Sequence, residues 1–132
     1  MKYIELKNAI LYMRIALGII FLWFGLLKFS GNNPVYDIVY ASFPFLADGI
    51  GNYILASFET IIGIGLFLNV VPKIVHFSLI LHLMGTFSVF LRAPEIMFYP
   101  SIPFLTLAGE FVVKNIALTA GGFVVLAYST KK

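Results

Sequence analysis

Seven ionisable side chains interrupt or flank long apolar runs, and their types decide what chemistry the chain can do. Lys28 stands in FLWFGLLKFSG (21–31), Glu59 in SFETIIGIGLF (57–67), and Glu110 and Lys114 in GEFVVKN (109–115). Arg14, His82 and Arg92 complete the set. A carboxylate in an apolar run cannot stay ionised without a partner, whereas a lysine can carry its charge outward on a four-carbon stem. Glu59 is therefore the residue that most needs a partner, and a Lys28–Glu59 ion pair is the expectation. Glu110 precedes Lys114 by four residues, the order that forms a helix-start ion pair. With Arg92 these residues are expected to gather at one level of the molecule.

His82 could relay a proton or bond a ligand carbonyl, with a hydrogen-bonded packing histidine as the plainer alternative. His76 and His82 are six apart, about 120° around a helix, so they cannot share a metal as an i, i+4 pair does. His76 is expected near a surface, in water. The chain has no cysteine, which removes disulfides, thiolate metal sites and thiol relays. Neither a nucleophile and base constellation nor a phosphate loop is present, so no catalytic residue is assigned and no cofactor is identified by motif.

The elements that must position these groups are set by composition. Hydrophobic residues make up 61% of the 132, charged residues only 11%, and the mean hydropathy is +0.98. That is too little polar surface to coat a soluble domain, and it makes the lipid bilayer the first partner. Four apolar blocks, at about 8–29, 52–71, 74–92 and 109–128, each approach the roughly 20 residues a span needs. The expected fold is an all-α integral membrane protein, a single four-helix transmembrane bundle. Unbroken runs such as ALGIIFLWFGLL (16–27) are not the alternation of a membrane barrel.

SGNNP (30–34), ADGIGN (47–52), NVVPK (69–73) and RAPE (92–95) are the breaks, with NVVPK a tight hairpin. Lys2, Lys7, Lys73, Lys131 and Lys132 fall on one side of such a bundle and Arg92 on the other, so both termini are expected in the cytoplasm. The net charge of +3 is then a topology signal and not a nucleic-acid surface. The first span is long, holds Arg14 and Lys28, and lacks a small-x-small site, which argues against a cleaved signal peptide. The outward loops, 35–47 and 95–108, are rich in apolar and aromatic residues and are expected at the membrane interface, the first as a short surface helix.

On the first helix, Arg14, Gly18, Phe21, Gly25 and Lys28 share a stripe, and the glycines would let another helix approach closely. Gly63 lies one turn from Glu59 on the same face. The outer charges, the aromatic loops and Trp23 would enclose a pocket for a small apolar ligand.

RIALGIIFLWFGLLKF (14–29), FETIIGIGLFL (58–68) and IPFLTLAGEFVVKNIALTAGG (102–122) together resemble the YkgB and RclC-type inner-membrane proteins, the reactive chlorine resistance group within the broader DoxX-like set. The shared pattern is an arginine, W-x-G-L-L-K-F, Glu-x-x-x-Gly and V-x-K-[DN]. The resemblance implies a four-helix bundle in the bacterial inner membrane and a part in surviving hypochlorous acid or related oxidants. DoxX-like proteins accompany oxidoreductases, so it also implies a non-enzymatic membrane subunit facing a quinone, with an oxidoreductase subunit or a second copy as partner. Two other readings stay open. One is a small proton-coupled transporter using Glu59 and Lys28, which would need a homo-oligomer, and the other is a purely structural membrane protein whose charges specify helix pairing.

Overall fold

A computed structural model describes residues 4–129. The first apolar run forms α1, Leu6–Phe29, which stops where the Ser30 N–H bonds to the Leu26 carbonyl, the Gly31 N–H bonds to the Lys28 carbonyl, and Gly31 turns to φ +85°. The loop after it winds into a short helix, α2 (Tyr36–Ser42), and a 3-10 turn over Pro44–Leu46. The second long helix, α3, covers Gly49–Leu68 and ends on Asn69 in the left-handed region. Val71 also has positive φ, a conformation costly for a β-branched residue, and Pro72 then opens the next helix at its first position.

The third apolar block is divided. α4 runs Pro72–Phe87 and a short α5 continues as Val89–Arg92. At Ser88 the hydroxyl donates to the Gly85 carbonyl at 2.5 Å, and side-chain bonding of that kind competes with the regular helix ladder. After α6 (Pro94–Met97), Phe98 and Leu105 form an isolated antiparallel bridge. The last helix, α7, is Leu107–Ser129. It begins two residues before the sequence-based boundary because the Thr106 hydroxyl accepts from the Gly109 N–H at 3.0 Å and caps the first turn. The second helix is offset likewise: Asp48 precedes it in extended conformation, and left-handed Asn69 stops it before residue 71.

α1 packs along α3 and α4 along α7, and α1–α7 and α3–α4 contacts close the bundle. Two apolar cores result. One, around Leu17, Ile62, Leu66, Leu79 and Val125, fills the end near the Asn69–Val71 turn. The other, around Ile38, Val89, Met97 and Val112, lies under the loops at the opposite end, so those loops bury side chains against the bundle. The described residues form no β-strand, and four stretches, Leu6–Phe29, Gly49–Leu68, Pro72–Arg92 and Leu107–Tyr128, are long and apolar enough to cross a membrane.

Candidate functional site

Glycine sets the spacing on which the site depends. A Cβ on Gly63 would come within 2.6 Å of the Leu22 backbone nitrogen, and one on Gly25 within 2.8 Å of the Ala56 carbonyl oxygen. α1 and α3 therefore touch backbone to backbone, and Lys28, one turn beyond Gly25, meets Glu59 across the seam. The Asn52 side chain also donates to the Lys28 carbonyl at 3.1 Å, tying the end of α1 to the start of α3.

Lys28 Nζ lies 2.6 Å from Glu59 Oε1 and 3.1 Å from Oε2. Both side chains are buried, 3% and 2% exposed. From α4, His82 Nε2 approaches Glu59 Oε2 at 3.0 Å. A carboxylate only accepts, so Nε2 is the protonated nitrogen of this contact, and His82 Nδ1 is left buried without a partner among the described residues. The imidazole is fixed between Phe21, edge-on at 5.2 Å between centroids, and Phe58, stacked at 6.2 Å. Lys28 and Glu59 cancel in charge, so the cluster is close to neutral as a whole.

Beside the cluster is a cavity of about 580 Å³. α1 contributes Phe21, Phe24 and Lys28, α2 contributes Ile38 and Ser42, α3 contributes Phe58 and Glu59, and α7 contributes Phe111 and Asn115. A smaller cavity of about 290 Å³ shares Phe24, Lys28 and Phe111 and has Asp37 at its wall. Asn115 is 7% exposed, and its side-chain amide makes no hydrogen bond among the described residues. It is a buried polar group on the wall of an apolar chamber.

The other residues singled out from sequence are placed elsewhere. Trp23 is 63% exposed on the outer face of α1 and does not line the cavity. Arg14 donates to the Leu66 and Phe67 carbonyls, capping the far end of α3. Arg92 is exposed and holds its guanidinium 5.2 Å from the centre of the Phe43 ring. Glu110 and Lys114 are both exposed and form no ion pair among the described residues, so the expected gathering of five charges reduces to Lys28 and Glu59, joined by His82. His76, expected in water, is 1% exposed with Nδ1 2.7 Å from the Pro72 carbonyl oxygen, because the ring turns back onto the carbonyl one helical turn before it in α4.

Sequence reasoning missed Asn115, whereas the short helix expected within 35–47 is found as α2, with Ile38 and Ser42 lining the chamber. The signal for Asn115 was its place with Val112, Gly122 and Val125 on the buried stripe of α7. α2 is docked by Tyr36, whose hydroxyl donates to Asp48 Oδ2 at 2.7 Å and whose phenol is thereby raised above its usual pKa.

No curated protein and no solved structure matches the chain. Residues 9–92, more than half of its length, match the DoxX family; with its four apolar helices, the chain belongs to the DoxX family as a multi-pass membrane protein.

Proposed function

We propose that this protein is a non-enzymatic membrane subunit that holds a small, neutral, lipid-soluble molecule of the quinone class in the chamber beside Lys28, Glu59 and His82. The observation that supports it most is the coincidence of a 580 Å³ apolar cavity with a charge-balanced polar cluster and the unpartnered Asn115 amide on its walls. An apolar chamber with a few convergent polar groups suits a ligand with an apolar body and one or two carbonyl oxygens. Lys28 retains N–H capacity beyond Glu59, and Asn115 supplies an amide donor.

In this reading the protein resides in the bacterial inner membrane with both termini in the cytoplasm, and it serves a system that resists reactive chlorine and related oxidants. The stress role rests on the resemblance of residues 14–29, 58–68 and 102–122 to the reactive chlorine resistance group. An oxidoreductase subunit, or a second copy of the chain, is the partner that electron or proton traffic through a bound quinone would require.

The test is equilibrium binding of decylubiquinone to the protein in lipid nanodiscs, read by native mass spectrometry. One quinone per chain is expected, with binding weakened about tenfold or more in Asn115→Leu, the loss of one good hydrogen bond in a dry site. Absence of a bound quinone at saturating probe would overturn the reading.

A further inference from the structure

We infer that the chamber is filled sideways from the bilayer, through an entrance between α3 and α4, and that Phe43 determines what passes. This rests on the chamber being a ligand site, as proposed above, and adds where the ligand comes from and which residues select it.

Of the residues lining the chamber, three are also exposed at the molecular surface: Ile54, Leu81 and Met84. All are apolar, and they belong to α3 and α4 alone. Those helices are packed tightly near their connecting turn, where a Cβ on Gly65 would come within 2.6 Å of the Val75 side chain. Towards the other end the Phe43 ring, which also lines the chamber, stands against α4, 3.6 Å from the place a Cβ on Gly85 would occupy.

Where the α1–α3 and α1–α7 seams border the chamber they are filled by backbone or by rings, and the smaller cavity shares Phe24 and Phe111 with it. α1 and α3 meet backbone to backbone at Gly25 and Gly63. Between α1 and α7, Phe24 and Phe111 are 5.9 Å apart at their centroids. Over the top lie Ile38 and Ser42 of α2, both buried.

Depth identifies the source. Leu81 follows Pro72 by nine residues in the Pro72–Arg92 stretch, about 13 Å along the axis at 1.5 Å per residue, which is close to mid-membrane. A mouth at that level meets acyl chains and not water, so it admits molecules that partition into hydrocarbon and turns away fixed charges. The Phe43 ring is the movable part of this mouth. Its face is held by Arg92 at 5.2 Å, and Phe45 meets it in a T-shaped contact at 6.0 Å. Arg92, outside the chamber, is thus a positioning residue for the ring that closes it.

Because the chain has no cysteine, one introduced thiol reports access without background. Ser42→Cys places that thiol on the chamber wall, and Lys73→Cys, on an exposed helix start, serves as reference for each reagent. In nanodiscs, lipid-soluble N-cyclohexylmaleimide should label Ser42→Cys, relative to the reference, at least about fiftyfold better than a charged methanethiosulfonate sulfonate, given the penalty for a fixed charge in hydrocarbon. Adding Met84→Trp, or Leu81→Trp as a second way to narrow the mouth, should slow the maleimide about fivefold or more. Adding Arg92→Met should speed it about threefold by freeing Phe43.

Equal relative labelling by the two reagents would overturn the inference, as would maleimide rates unchanged in both tryptophan variants of a monodisperse protein. The outcome is separable from that of decylubiquinone binding. Hydrocarbon-side labelling without quinone binding removes the ligand reading and keeps the route. Quinone binding with water-side labelling does the reverse.

Discussion

Removing Lys28 alone leaves the Glu59 carboxylate buried with only His82 beside it, whereas removing both charges leaves an apolar seam. Breaking a buried pair from one side typically costs about 3–5 kcal/mol, while replacing both members with residues of similar size is often neutral. Lys28→Met should therefore lower stability in a denaturant titration by an amount of that order, and Lys28→Met with Glu59→Leu should recover most of it. The same double variant should still bind decylubiquinone about tenfold or more weakly, because the Lys28 N–H donor is gone from the chamber wall. Full binding in the stable double variant would return the charges to helix pairing alone. Lys28 and Glu59 could be singled out in the sequence because a charge in an apolar run must find a partner nearby, a constraint each residue carries by itself. Which partner it finds depends on which helices are neighbours. That dependence is why Arg14, Arg92, Glu110 and Lys114 read as equal candidates and are found capping α3, facing Phe43, or exposed. Asn115 escaped attention for the opposite reason, since an uncharged amide is inexpensive enough in a helix to pass as ordinary.

The elements were readable where a single residue stops the chain, as at Gly31 and Asn69, and less so where a side chain reshapes the ladder. Nothing in the periodicity of residues 74–92 distinguishes Ser88 as the place where α4 gives way to α5, because that depends on its hydroxyl reaching Gly85. The α1–α3 seam makes a sharper prediction. A methyl on Gly63 meets Leu22 backbone at 2.6 Å, and neither helix can yield without moving Lys28 from Glu59. Gly63→Ala should cost about 1–3 kcal/mol of stability, in the range of core overpacking, and weaken quinone binding together with it. Gly18→Ala, whose nearest neighbour would be the Gly63 carbonyl oxygen at 3.2 Å, should cost clearly less. The docking of α2 carries a pH dependence. The bond from Tyr36 to Asp48 stabilises the protonated phenol, so its contribution is complete below the ordinary phenol value of about 10 and is lost as pH rises through the raised one. Amide exchange in 36–42 should accelerate over that alkaline range beyond the intrinsic rate, and Tyr36→Phe should remove the step.

At the scale of the molecule, the apolar surface and the placement of charge must fit the same bilayer. Ile19, Trp23, Ile61, Ile64, Phe77, Leu81, Ile116 and Phe123 are exposed on all four long helices, a belt that water would not tolerate and acyl chains would cover. The two ends beyond this belt differ in sign and in shape. Lys7 and Lys73 lie at the end where α1 begins and α4 starts, while Lys2, Lys131 and Lys132, counted with them in the sequence, lie outside the described residues. The other end carries the covering loops and Arg92, with Asp37, Asp48 and Glu95 among them. Lysine and arginine retained on the cytoplasmic side orient a multi-pass chain, so the covering loops above the chamber should lie on the face away from the cytoplasm, where an oxidant from outside would first be met. Single cysteines decide it. On intact bacterial cells, a membrane-impermeant maleimide should label Ser101→Cys and leave Lys73→Cys unlabelled until the cells are permeabilised. The reverse pattern would invert the protein in its membrane, place the covering loops on the cytoplasmic side, and require any redox partner to dock from within the cell.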